Sequence, residues 1–248
     1  MVYYRQKQES VTKVGIKGNL HYNSDGNNKD SLSNRFRRKR MKVFEEFFES
    51  TFADELKSGK TIRILDIGGR NRYWNSVGFK YISNCEFTLL NLKAAELDNT
   101  GDRRFSNKIG DATDMKDIAD NSYDLVFSNS CIEHVGKKPQ WEKMRNEMLR
   151  TGRYYFLQTP NKYFPMEPHF LFLGFQFLPL KTKAFILKHF RHGWFAYIET
   201  YEQAYEAADS IHLLTQKDLK ALFPKGTIRK ERFLGITKSF MVMGKASD

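Results

Sequence analysis

Two short segments carry side chains able to move a proton. In Asp124–Val135 an apolar run ends at Asn129 and Ser130, and Glu133 and His134 follow within a few residues. In Met166-Glu-Pro-His-Phe170, Glu167 stands two residues before His169. An imidazole titrates near neutrality, so either histidine can accept a proton from a hydroxyl at physiological pH. Glu133 and Glu167 can orient those rings or hold hydroxyl groups. Adjacent residues do not share a face, so Glu133 and His134 are not read as a local dyad. Cys85 and Cys131 lack metal-ligand spacing, and no metal site is read from the sequence.

A third segment binds rather than reacts. Thr61-Ile-Arg-Ile-Leu-Asp-Ile-Gly-Gly69 reads as a buried strand that reaches an acidic residue and breaks into glycines. Ile62, Ile64, Leu65 and Ile67 give the β-branched, apolar run of a strand covered on both faces. Gly68 allows close backbone approach to a ligand where a Cβ would clash. Asp66 places an acceptor at the strand's carboxyl end. A doubly wound α/β domain builds the floor of a nucleotide site in this way.

Further elements must position these groups, and the pattern supplies them. Strands are predicted at Glu86–Asn91, Phe105–Ile109, Tyr123–Ser128 and Tyr154–Thr159. Thr227–Leu234 and Ser239–Gly244 are spaced as a hairpin, so the last strand should run antiparallel to the others. Phe44, Phe47, Phe48, Phe52 and Leu56 recur at helical spacing, with Gly59 as the stop. Pro139–Arg150 is a second helix. Thr215-Gln-Lys-Asp218 opens a third with a capping-box pattern. The chain therefore divides into an N-terminal arm, residues 1–33, rich in Asn and poor in buriable residues, and one domain, 34–248. Residues 163–212 interrupt that domain as a lid. The lid holds the apolar run Phe170–Leu180, read as a lid helix, and a second helix over Tyr197–Ala208.

Composition bounds the rest. The chain has 248 residues, 40% hydrophobic, enough for one large α/β domain. Residues 1–42 carry eleven Lys/Arg against three Asp/Glu, most of the net charge of +12. A basic block of this kind suits nucleic acid, anionic lipid or a phosphorylated substrate, or simply a solvated helix start. No secretory pattern opens the chain and no run approaches a membrane span, which with two lone thiols fits a cytoplasmic protein. The lid's aromatic run beside Lys181, Lys183 and Lys188 also suits contact with the inner face of a membrane.

In order and content these segments resemble a class I S-adenosylmethionine-dependent methyltransferase, of the bacterial-type branch acting on small molecules or glycans. Ile64–Gly69, Leu90-Asn-Leu92, Gly110-Asp-Ala-Thr-Asp114, Asp124–Val135 and Thr159–His169 carry the resemblance. It implies a Rossmann-like fold: a mostly parallel seven-stranded sheet with an antiparallel last strand and a helical lid insertion. It implies S-adenosyl-L-methionine as cofactor. Gly68 and Gly69 would approach its methionine part, with Asp66 ordering the loop and the amino group. Asn91 stands where the family usually has an acid for the ribose hydroxyls. Asp111 and Ala112 match the adenine edge, and Asn129 and Ser130 line the sulfonium side. The family's Gly-x-Gly-x-Gly loop is replaced after Gly68 by Gly69, Arg70, Asn71 and Arg72. For an oxygen acceptor, His134 is the first candidate base and His169 the second, with Glu133, Glu167 and Tyr163 around the substrate. The expected substrate is a small molecule or saccharide, including a lipid-linked one. An RNA methyltransferase and a non-catalytic binding module are the alternatives.

Overall fold

The computed structural model describes residues 32–94, 97, 101–167, 169, 170, 172–190 and 198–246. The predicted arm lies outside these except for its last residues. Parallel strands β1 (Ile62–Ile67), β2 (Cys85–Asn91), β3 (Phe105–Ile109), β4 (Tyr123–Asn129) and β5 (Gly152–Pro160) form most of the sheet. The hairpin β8 (Thr227–Phe233) and β9 (Ile236–Lys245) completes it. The order is β3-β2-β1-β4-β5-β9-β8, so the last strand, β9, enters between β5 and β8 and runs antiparallel to both. Every predicted strand is present, with ends moved by at most three residues.

Alternation along the strands sends side chains to opposite faces. Ile62, Ile64, Leu125, Phe127 and Phe156 point into one core layer, Leu65, Ile67, Val126, Tyr155 and Leu157 into the other. Helices α1 (Leu32–Thr51), α2 (Ala53–Ser58) and α3 (Asn71–Val77) border the first layer. There Phe44 lies 5.0 Å from both Phe127 and Phe156, ring centre to ring centre. Burying such a ring contributes about 1.5–3 kcal/mol. Gly59 ends α2 with φ 70°, as its spacing predicted. Helices α4 (Lys138–Thr151) and α7 (Gln216–Leu222) cover the second layer through Trp141, Met144, Met148, Leu219 and Leu222. The Thr215–Asp218 capping box is formed.

The basic block is a helix flank with a buried anchor. Phe36, Arg40 and Met41 face inward, and Arg40 is bonded at 3.2 Å to both carboxylate oxygens of Glu231 on β8. Lys238 of β9 stands 3.8 Å from the same carboxylate and 3.4 Å from the centre of the Phe36 ring. Burial lowers its pKa to about 8, partly opposed by Glu231.

The lid differs from expectation. Phe170–Leu180 is not a helix: Met166–Glu167 (β6) pairs with Phe172–Leu173 (β7), Gly174 turns at φ 72°, and a 3-10 turn leads to Pro179. A glycine in the left-handed region and a proline break a run whose apolar density alone looked helical. Only then does α5 begin, Leu180–His189, followed by α6, Tyr201–Ala208, the core of the predicted second lid helix. Phe170, Phe175, Ala184, Leu187, Ile198 and Ala204 give the lid a hydrophobic core of its own. Leu173, Phe177, Phe185 and Phe190 remain exposed. Among the described residues no helix is long and apolar enough to cross a membrane.

Candidate active site

The carboxyl ends of β1, β4 and β5 bring most of the predicted residues to one edge of the sheet. Asp66, one residue before the end of β1, faces inward: it is 2% exposed, and Trp74 Nε1 donates to its Oδ2 at 2.8 Å. Burial raises its pKa to about 7, against the Trp74 bond. Asp66 thus shapes the loop from below. A Cβ on Gly69 would fall 2.0 Å from Asp66 Oδ2, so the loop can pass only as glycine. Gly68 sits at φ +74°, and a Cβ there would meet Cys131 Sγ at 3.0 Å.

Asn91, at the end of β2, is buried and donates from Nδ2 to the Gly69 carbonyl at 3.0 Å. It ties the second strand to the glycine loop, a role an acid could not perform. Beyond β3, Gly110 N donates to the Asn91 carbonyl at 3.0 Å. Asp111 is exposed, and its Oδ1 accepts from Thr113 N and Oγ1, both at 2.8 Å, as a turn residue does. Ala112 belongs to the core beneath it.

At the end of β4, Asn129 holds a buried Oδ1 without a hydrogen-bond partner. Ser130 takes φ 54° and is held by β5: its N donates to the Gln158 carbonyl and its Oγ to Gln158 Oε1, each at 2.9 Å. Gly68 without room for a side chain, beside an unmatched buried acceptor on Asn129, suits a ligand that packs on backbone and presents an N–H donor.

The 3-10 turn Ile132–His134 follows. Glu133 is completely buried; Thr159 Oγ1 of β5 donates to its Oε2 at 2.9 Å, while its Oε1 has no hydrogen-bond partner. That oxygen lies 4.0 Å from His169 Nε2. His169 Nδ1 is 2.7 Å from Glu167 Oε1, and Glu167 Oε2 accepts the backbone N–H of His169 at 2.8 Å and of Phe170 at 2.7 Å. The His134 and His169 rings meet edge to face, 4.8 Å between centres. Four of the predicted residues, spanning Glu133 to His169 in the chain, therefore form one cluster.

Its electrostatics divide the two imidazoles. Burial, then the neighbouring His169, lowers the pKa of His134 to about 3, so that ring is neutral at physiological pH. Burial also disfavours charge on His169, but the Glu167 bond and the charges of Glu167 and Glu133 outweigh it and raise its pKa. Burial raises the pKa of Glu133, against the charge of His169.

Beside this cluster the lid roofs a cavity of about 240 Å³ lined by Glu167, Phe170, Phe175, Trp141, Lys162, Lys183, Gln176 and His212. The backbone N of His212 donates to the Glu133 carbonyl at 2.8 Å, joining the cavity rim to the cluster. Tyr163 is placed elsewhere: it is exposed, stacks on Phe177, and lines a second cavity of about 350 Å³ with Asn161, Thr215 and Phe240. Trp74, Gln158, Thr159 and Lys162 escaped the sequence reading. Gln158 and Thr159 had a signal, two polar residues closing an otherwise apolar strand.

The strand order, with an antiparallel last strand inserted beside β5, and a glycine turn after β1 define a Rossmann-like methyltransferase architecture. The methyltransferase-domain family matches residues 33–225, and the chain belongs to it. It is a class I S-adenosylmethionine-dependent methyltransferase. Among solved structures, the N-terminal domain of EvdMO1, crystallised in the presence of SAH and D-fucose, is 17% identical with a TM-score of 0.50, covering 85% of this chain and 83% of that one. The CurJ carbon methyltransferase is 10% identical with a TM-score of 0.49 and covers 77% of this chain. The present chain spans 50% of the CurJ chain. No curated protein matches the sequence.

Proposed function

We propose that this enzyme methylates an oxygen of a small hydroxylated molecule or single saccharide unit. The observation that carries the reading is the Glu133–His134–Glu167–His169 cluster at the strand ends, adjoining the cavity under the lid. That cavity, about 240 Å³, has room for a single ring. Its lining suits a sugar: Trp141, Phe170 and Phe175 offer apolar surface, Lys162, Lys183 and Gln176 polar contacts. Trp141 Nε1 and Gln176 Oε1 are buried without hydrogen-bond partners, a donor and an acceptor for hydroxyl groups. The D-fucose present with EvdMO1 supports the same acceptor class. The exposed rings of the lid support a lipid-linked form of it.

S-adenosylmethionine, when bound, supplies an electrophilic methyl group. Gly68, Gly69, Asn91, Asp111, Ala112, Asn129 and Ser130 would hold it, with Asp66 keeping the loop in shape. The protein's main contribution is alignment of the acceptor oxygen with the methyl carbon and leaving sulfur. The cluster activates that oxygen. His134 is neutral and keeps a lone pair on Nδ1, which has no partner. Glu167 fixes the His169 ring through Nδ1 and leaves Nε2 facing Glu133.

The test is turnover against a panel of sugars and small alcohols with cofactor binding followed by calorimetry. His134→Ala and His169→Ala should bind the cofactor as wild type does and lose roughly 10²–10⁴-fold in turnover. Unchanged turnover in both removes the cluster from the reaction.

A further inference from the structure

Resting on the reading that this cluster activates the acceptor, we propose that Glu133, His134 and His169 bind one divalent cation of the zinc type. Each offers one ligand atom, and the three atoms lie within 4.8 Å of one another. Glu133 Oε1 belongs to a completely buried side chain and has no hydrogen-bond partner; His134 Nδ1 has none either. An unmatched buried acceptor costs about 1–3 kcal/mol, and more when it is charged. Two such atoms in one three-residue cluster suit a positive ligand.

The other sides of Glu133 and His169 are already held. Thr159 Oγ1 bonds Glu133 Oε2 at 2.9 Å, and Glu167 Oε1 bonds His169 Nδ1 at 2.7 Å. Glu167 is fixed in turn by two backbone N–H groups. Metal-ligating histidines are held in this manner, the second ring nitrogen committed to a carboxylate or carbonyl so that the first is aimed. Two imidazoles and a carboxylate make the donor set of a catalytic zinc site, three protein ligands with a position left open. Magnesium prefers an all-oxygen shell, so the two nitrogens select a first-row transition cation. With bonds of about 2.0–2.2 Å the three atoms must close by roughly 1 Å, within reach of side-chain rotation. The open position takes the acceptor hydroxyl: the cation–oxygen bond strengthens as the O–H bond breaks, and the proton passes to solvent. Both imidazoles then serve as ligands rather than proton acceptors.

Cobalt(II) is the probe, because its visible absorption reports coordination without turnover. The chelator-treated chain should take up one Co²⁺ with a d–d band of low-coordinate type, displaced by Zn²⁺. Calorimetry with Zn²⁺ should give the same stoichiometry. His134→Ala and His169→Ala should lose the band. Glu133→Gln, isosteric and able to keep the Thr159 contact, should lose it while circular dichroism shows a folded chain. Glu167→Gln, not a ligand, should weaken binding about 10–100-fold without abolishing it. A folded wild type with neither band nor heat overturns the proposal, as does a band that survives in both Glu133→Gln and His169→Ala. No cation binding, with turnover still lost in His169→Ala, sinks the cation and leaves the methyl-transfer reading standing. Stoichiometric binding by a chain that methylates no hydroxyl upholds the cation and removes the acceptor reading.

Discussion

Asp66→Asn separates burial from charge at the base of the glycine loop. The carboxyl is 2% exposed, and burial raises its pKa from 3.8 to about 7. Between those values the folded chain holds the proton more tightly than the unfolded chain does. Stability therefore falls as pH rises through that window and levels off above the folded value. The gap of roughly three pH units, at about 1.36 kcal/mol each, sets the full effect near 4 kcal/mol. From pH 5 to pH 8 the share that disappears is about 3 kcal/mol. Asparagine stays neutral and can still accept the Trp74 hydrogen bond. Urea unfolding followed by tryptophan fluorescence would give the difference in stability, variant minus wild type, at each pH. Groups that titrate in both proteins cancel, so the difference should move in favour of Asp66→Asn by about 3 kcal/mol across that range. A difference flat to within about 0.5 kcal/mol would refute the reasoning, since it would mean that Asp66 ionises as a solvated carboxyl does.

Two other substitutions test the architecture around the loop and helix α1. Asn91→Asp restores the acid usual in the family but removes the donor to the Gly69 carbonyl. It should cost about 1–3 kcal/mol in stability and weaken cofactor binding in calorimetry; tighter binding would show that the side chain serves the ribose instead. Arg40→Met leaves the buried Glu231 carboxylate with the Ser239 hydroxyl at 2.8 Å and Lys238 at 3.8 Å. Thermal or urea unfolding should register a loss of about 3 kcal/mol, and no loss would mean that the pair is solvated.

Much of this was legible from residue order. Strand β1 and its glycines, the β8–β9 hairpin and the α7 capping box each rest on local pattern, and local pattern is what a sequence states directly. Asn91 was legible as a strand end but not as a donor to Gly69, because that bond exists only once β1 and β2 lie side by side in register. Glu133 and His169 were singled out separately. Their approach depends on the lid folding back over β5, and no spacing rule reports it. The lid run Phe170–Leu180 misled for the opposite reason: its composition is that of a helix, while Gly174 and Pro179 set its backbone. The inward turn of Asp66 depends on Trp74, eight residues later, whose indole could have pointed either way.

Strand β9 has a consequence for biosynthesis. Because it lies between β5 and β8, the sheet cannot be finished until residues 227–245 have left the ribosome. Until then β5 is an unpaired edge, with its backbone open to another chain, and Arg40 has no Glu231 to meet. The nascent protein passes this aggregation-prone interval with all five parallel strands already made. Chaperone demand should therefore track the speed of translation through that hairpin.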